Sequence, residues 1–193
     1  LTAADAARLK ALYGLDQPIT TRYAAWLGNA AQGDFGYSRN YGQPVLDVIG
    51  SRFGNTVFLL GISLVLSLAI AIPVGIYAAL RPYSPLDYAV NMLCFAGISI
   101  PPFWLALLLI ILFSVTLGWL PAGGMETVGS TGFIDRLEHA LLPVAALTIA
   151  SVGGFTRFMR ASMIQTLRQD YIRTARAKGV STTRMVTSHA LQN

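Results

Sequence analysis

Residues 56–79 read TVFLLGISLVLSLAIAIPVGIYAA. The run holds no charged side chain and exceeds the ~20 apolar residues that a helix needs to cross a hydrocarbon core about 30 Å thick. It predicts a transmembrane helix, and so decides the fold class. Ser63, Ser67, Ala71, Gly75 and Ala79 recur in it at every fourth position. Small residues at that spacing share one helix face and let backbones approach closely where lipid gives no hydrophobic drive for association. The segment therefore carries a packing face for a bundle. Pro73 predicts a kink in it.

Two further apolar stretches follow. Residues 89–120 are too long for one straight span at about 1.5 Å per residue. Pro101 and Pro102 interrupt them, preceded by Gly97 and Ser99, which predicts a kinked or broken span. Broken helices are tolerated in a membrane where they are buried in protein or line a water-filled cavity. Gly97, Ser99, Pro101, Pro102 and Phe103 are accordingly candidate pathway-lining residues; a structural kink without substrate contact is the alternative. Residues 140–158 form the third span, with Pro143 and a Gly153–Gly154 pair where a neighbouring helix could come close.

Composition agrees. The chain is 54% hydrophobic and 12% charged, against about 25% charged in soluble domains. The net charge of +5 does not indicate nucleic acid, because the basic residues gather at one end beside apolar spans. Cys94 is the single cysteine, which leaves no intrachain disulfide and no cysteine-based metal site. No span has an ionisable residue near its centre, which argues against a proton relay within this chain. It contains no phosphate-binding G-x-x-x-x-G-K-[ST], no H-E-x-x-H and no G-x-S-x-G. The expectation is a subunit that is no enzyme and holds no cofactor or metal.

Orientation follows from Lys and Arg near the span ends. After the third span come Arg157, Arg160, Arg168, Arg173, Arg176, Lys178 and Arg184 against Asp170 alone, whereas the preceding connection has Glu126, Asp135 and Glu138 against Arg136. Residues 159–193 are thus expected in the cytoplasm, with loop 81–87 on the same side and residues 1–55 external. His139 and His189 then lie on opposite sides and cannot share a metal. An external residue 1–55 segment needs an earlier span, so the chain is expected to be a fragment with both ends missing.

Residues 1–55 form a first unit with short helices. One covers residues 2–13, stopped by Gly14. Another starts at Pro18 and carries Tyr23, Trp26 and Leu27 on one side. Gly28, Gly33 and Gly36 then break regular structure, and a further helix covers residues 44–53. The aromatic content indicates a small packed element or a cap on the membrane interface. Residues 56–193 form the membrane domain.

Its end is basic and polar. Residues 156–178 read as a helix leaving the membrane, Gly179 as its break, and Ser181 as the N-cap of a second helix reaching about residue 192. The first helix presents Tyr171, Ala175 and Lys178; the second presents Val180, Met185 and Ala190. Such an elbow could enter a groove on a soluble protein or lie on anionic lipid.

The stretch Tyr171-Ile172-Arg173-Thr174-Ala175-Arg176-Ala177-Lys178-Gly179 resembles the cytoplasmic EAA loop of ABC importer permeases, and more narrowly the oligopeptide/dipeptide permease family. Gly14-Leu15-Asp16-Gln17-Pro18, Gly33-Asp34-Phe35-Gly36-Tyr37-Ser38, Pro44-Val45, Ser99-Ile100-Pro101-Pro102-Phe103-Trp104 and Gly118-Trp119-Leu120-Pro121 are similar to that family's other signatures. Arg173 stands where the general motif has Glu, as in this subfamily, and the Leu-Pro that would close the motif lies beyond Asn193. The resemblance implies an all-α polytopic helix bundle of the type I ABC transmembrane class, with one span before Leu1 and about two after Asn193. It implies a bacterial inner-membrane permease for peptides, with nickel or glutathione as alternative cargo. Its partners would be a second permease, two cytoplasmic ATPases and an external substrate-binding protein. Tyr171, Arg173, Thr174, Ala175, Ala177, Lys178, Gly179, Val180 and Ser181 would form the ATPase-coupling elbow, with Gly179 as its hinge. Residues 1–55 would help seat the binding protein. A membrane scaffold or receptor that recruits a soluble partner without transport is the second reading.

Overall fold

The computed structural model describes residues 4, 5, 8, 10, 14–130 and 132–191. They are organised in two compact units, residues 1–55 and 56–193. Most of the expected helix over residues 2–13 lies outside the described residues; Ala4, Asp5, Arg8 and Lys10 of it are helical. Gly14 has φ +58, and the Leu15 amide bonds back to the Lys10 carbonyl at 2.8 Å, the left-handed stop expected there.

In the first unit, α1 spans Ile19–Ala31 behind Pro18. Gly28 lies inside α1 rather than breaking it, because a single helical glycine costs only about 1 kcal/mol. The break comes at Gly33 and Gly36, with φ of +88 and +81. A short antiparallel ribbon follows, β1 (Tyr37–Ser38) pairing with β2 (Gln43–Pro44), which the all-helical reading did not foresee. The Tyr23 and Trp26 rings stack at 6.1 Å, and the Arg52 guanidinium lies 4.6 Å from the Tyr41 ring centroid. No described residue of this unit is buried. Its aromatics are outward, with Tyr23, Trp26, Tyr37, Tyr41 and Phe53 all exposed.

The expected separation between a 44–53 helix and the first span is absent: α2 runs unbroken over Val45–Leu80, with Pro73 inside it. Gly54 is accommodated inside it, since a single helical glycine costs only about 1 kcal/mol. The small-residue ladder is the buried face of α2: Ser63, Ser67, Ala71, Gly75 and Ala79 are all buried, together with Ala78. Leu60, Leu64, Val65, Leu66 and Ile70 are exposed. Small residues inside and large aliphatics outside is the pattern of a helix that packs in lipid.

Helix α3 (Pro85–Ser99) starts on a Ser84 cap whose hydroxyl accepts from the Asp87 amide at 3.2 Å. Helix α4 (Pro102–Leu109) continues as a π-helical segment over Ile110–Thr116. The two are bent by 93° at Ile100 and Pro101, as the proline pair predicts. Helix α5 spans Phe133–Leu167 and contains Pro143. By length and composition α2 and α5 can each cross a membrane, and the bent α3–α4 pair counts as a third candidate.

Helix α5 is the centre of the bundle. A β-carbon on Gly153 would lie 2.7 Å from the Cys94 carbonyl oxygen of α3. One on Gly75 of α2 would lie 2.8 Å from Met159 Cβ and 2.9 Å from the Thr156 carbonyl oxygen. Both glycines permit backbone-to-backbone approach. Gly154 has open space around it among the described residues, so Gly153 is the one of the pair that packs against a helix here. The fold is an all-α membrane helix bundle.

Candidate coupling elbow and pathway

Helix α5 does not run on to Lys178 as expected. It ends at Leu167, where the Arg168 and Gln169 amides close its last turn on the Gln165 and Thr166 carbonyls at 3.2 and 3.0 Å. Gln169 is extended (φ −70, ψ 151), and a separate α6 follows over Asp170–Ala177. Asp170 in its first turn and Arg176 in its last complement the helix dipole. The turn directs the apolar side of α6 back onto the bundle. Ile172 has no exposed surface and packs in a cluster with Met163 of α5 and Ala79 of α2.

Gly179 ends α6 with φ +78. Its amide bonds the Arg176 carbonyl at 3.0 Å, and the Val180 amide bonds the Ala175 carbonyl at 3.2 Å. These paired bonds form a Schellman motif, with Val180 packed against the apolar cluster. Ser181 stands at the N-cap of α7 (Thr182–Met185), as expected, but its hydroxyl makes no capping bond. A π-helical turn, Val186–Ala190, completes the elbow; residue 192, its expected end, lies outside the described residues.

Ala175, Met185 and Ala190 were expected on the presented face. They are buried instead, at 9%, 2% and 6% exposure. The apolar stripe of α6 is Ile172–Ala175, one register away from the Tyr171–Ala175–Lys178 set. Burying that stripe leaves Tyr171, Arg173, Thr174, Arg176, Ala177, Lys178, Gly179 and Ser181 exposed, and Val180 half-buried. The outer face of the elbow is therefore strongly basic, with Arg184 adding to it. Arg173 makes an exposed ion pair with Asp170 at 3.6 Å.

The broken span places Gly97 at the edge of an apolar groove of about 380 Å³ between α2, α3 and α5, lined also by Ile70, Leu93, Thr148 and Val152. Ser99, Pro101, Pro102 and Phe103 lie outside that groove and are exposed. The Ser99 hydroxyl donates to the Phe95 carbonyl at 2.7 Å, adding a bond at a helix end where neither proline offers an amide proton. Of the five candidates at the bend, Gly97 alone lines that groove. Among the described residues no group of His, Cys, Asp and Glu could hold a metal.

Sequence reasoning missed one polar centre. Asp87, on the loop side of α3 ahead of the apolar run beginning at Ala89, is 2% exposed. Its carboxylate takes a forked pair from Arg160 of α5: Nε to Oδ1 and Nη2 to Oδ2, both at 2.6 Å. The Tyr83 amide donates to Oδ2 and the Asn91 side chain to Oδ1, each at 2.9 Å. The Arg160 hydrogen bonds hold the Asp87 carboxyl below its ordinary 3.8; burial opposes them, and the Tyr83 and Asn91 bonds reinforce them. The available signal was the lone acid of the 81–87 loop.

A model of the family of binding-protein-dependent transport system inner membrane components matches residues 71–193. The chain is 44% identical, over its whole length, to the oligopeptide transport system permease protein AppB of Bacillus subtilis (strain 168), of which it covers 62%. It is 43% identical over its whole length to a putative peptide permease protein of Brucella suis biovar 1, covering 61% of it. It is 39% identical, over 96% of its length, to the oligopeptide transport system permease protein OppB of Haemophilus influenzae, covering 59% of it. The chain thus spans about three-fifths of the length of these relatives. A bundle with this elbow, matched by that family model over most of its membrane unit, belongs to the binding-protein-dependent transport system inner membrane components.

Proposed function

We propose that this chain is the membrane-spanning permease subunit of an ATP-driven importer of peptides. The observation that supports this best is the elbow: a basic outer face mounted on a buried cluster that joins α2, α5, α6 and α7. A face so anchored can transmit force, which a loose juxtamembrane segment cannot. Cytoplasmic ATPases dock on Tyr171, Arg173, Thr174, Arg176, Lys178 and the neighbouring turn at Gly179, Val180 and Ser181. Ala175 and Ala177 belong to the same helix, the first as part of its anchored side.

In this reading a second permease completes the pathway, and an external binding protein delivers cargo. Residues 159–193 face the cytoplasm of a bacterial inner membrane and residues 1–55 face outward, where their exposed aromatics help seat the binding protein. ATP-driven closure of the ATPase pair moves the elbow and switches the spans between two accessibilities. The nucleotide drives this by binding one state more tightly. Gly97, Ser99, Pro101, Pro102 and Phe103 lie along the route. The chain itself performs no hydrolysis. Peptide cargo rests on the names of the relatives, two of which are oligopeptide permeases.

The test uses the full-length permease co-expressed with its partner permease and ATPases and purified through a tag on this subunit. The ATPases are retained by the wild type and lost from the triple variant Arg173→Glu, Arg176→Glu, Lys178→Glu. A stable wild-type complex that never holds an ATPase would sink the importer reading in favour of a scaffold. Uptake of nickel or glutathione without peptide uptake in proteoliposomes would overturn the cargo.

A further inference from the structure

The pair of buried Asp87 and half-buried Arg160 lies between two parts of the molecule with different duties. Arg160 stands one helical turn before Met163, and Met163 is 1% exposed in the cluster that anchors Ile172 and Met185 of the elbow. Leu167, two turns beyond Arg160, packs against the same cluster. On the other side, Asp87 lies in the first turn of α3, the helix that leads to the 93° bend. Among the described residues, the elbow's buried apolar cluster is drawn from α2, α5 and the elbow helices and includes none from α3.

The bond is built to be stiff. A carboxylate offers about four lone-pair sites, and four donors fill those of Asp87: Arg160 Nε and Nη2, the Tyr83 amide and Asn91 Nδ2. A planar guanidinium meeting a carboxylate through two bonds fixes orientation as well as distance. The same carboxylate holds the α2–α3 turn through Tyr83, the one described non-glycine residue with positive φ, at +62. The Tyr83 side chain is exposed, so burial of that side chain does not hold the unusual backbone in place.

We infer that the Asp87–Arg160 pair is the strut that makes α3 follow the elbow, so that movement imposed on α6 and α7 reaches the bend at Ile100 and Pro101. Asp87 and Arg160 are positioning residues in this role; neither touches the ATPase or the cargo. The inference rests on the importer reading above, and adds to it the route by which the elbow acts on the broken span. Without the strut α5 still carries the elbow, and the ATPases still bind its exposed basic face. The α3–α5 contact at Gly153 and Cys94, two turns farther along both helices, remains; what is lost is the stiff link that ties the start of α3 and its preceding turn to that motion.

The experiment measures peptide uptake per ATP hydrolysed, with the full-length permease complex in proteoliposomes and loaded binding protein outside. Wild type, Asp87→Asn, Arg160→Lys and the exchanged pair Asp87→Arg with Arg160→Asp are compared. The expected result is retention of both ATPases and continued ATP hydrolysis in Asp87→Asn and Arg160→Lys, with uptake per ATP reduced about tenfold or more. The exchanged pair recovers part of that loss. A purely structural pair would lower the yield of complex and leave uptake per ATP unchanged, and that result overturns the strut. If Asp87→Asn fails to assemble, Arg160→Lys, which keeps the positive charge, carries the same comparison. A wild-type complex with no ATP-driven uptake overturns the importer reading itself, so the two failures are distinguishable.

Discussion

Gly153 of α5 meets the backbone of Cys94 in α3 so closely that a β-carbon would come within 2.7 Å of the Cys94 carbonyl oxygen and 3.2 Å of its Cα. Backbone cannot swing aside as a flexible side chain can. The neighbouring Gly154 meets nothing within 4 Å. Gly153→Ala should therefore push the helices apart and destabilise the bundle by about 1–3 kcal/mol, the usual range for overpacking. Gly154→Ala should stabilise it by about 0.5–1 kcal/mol through helix propensity. Thermal unfolding of the two purified variants in detergent gives the sign directly. Equal shifts in both would remove the claim that α3 and α5 touch at Gly153.

Gly179 presents the opposite case. A β-carbon there would meet no atom within 4 Å, yet the residue's φ is +78. The penalty of substitution is in the backbone and not in packing. Gly179→Ala should destabilise the elbow by about 1–2 kcal/mol, and Gly179→Asn by less, since Asn tolerates the left-handed region. Proteolysis of the elbow in the purified protein is the readout: Ala cleaved faster than Asn, and Asn faster than wild type. A similar rate for all three would place the turn's stability elsewhere.

These glycines mark how far the fold is legible in the chain. The Ser63–Ala79 ladder was legible because helical period and small size are local properties, and the structure buries all five members. The bend at Pro101 was legible for a similar reason: a missing amide proton is a property of the residue itself. The face of α6 was legible only in part. Tyr171 and Lys178 are exposed as expected, but seeing that Ala175 turns inward with Ile172 needs the position of Met163 on a different helix. The Asp87–Arg160 pair was harder still, joining residues 73 apart. The first unit was less legible: its aromatics suggested a packed element or a cap on the membrane interface, and none of its described residues is buried.

The elbow separates anchoring from presentation, and substitutions should divide the same way. Met185 is 2% exposed within the apolar cluster, so Met185→Ala should cost about 2–5 kcal/mol, as other core truncations do. Arg176 and Lys178 are exposed and have no buried side chain to lose. Arg176→Glu and Lys178→Glu should change stability by less than about 0.5 kcal/mol while weakening ATPase retention. Unfolding and co-purification are measured on the same preparations. Loss of stability in the charge variants, with the Met185 variant unaffected, would reverse the assignment of the two faces.

Asp87 and Arg160 give a prediction in pH. In the wild type the Asp87 carboxyl lies below its ordinary 3.8 when folded. The stability it contributes is complete above 3.8 and is lost as pH falls through the lower folded value. Arg160→Met removes the cation and leaves a carboxylate that is 2% exposed. Breaking a fully buried pair from one side costs about 3–5 kcal/mol, and this one costs less because the Arg160 side chain is 21% exposed; burial of Asp87 without a cation raises its carboxyl above the ordinary value. The sign then reverses: the variant is penalised most where Asp87 must stay charged, and acidification relieves the penalty by protonating it. The difference in melting temperature between wild type and Arg160→Met should be largest near pH ~8 and should shrink toward pH ~5. Arg160→Met combined with Asp87→Asn should lose that pH dependence, because no carboxylate is left to protonate. A gap that stays constant with pH in the single variant would mean that Asp87 finds another cation or water, and that Arg160 is not what keeps it charged.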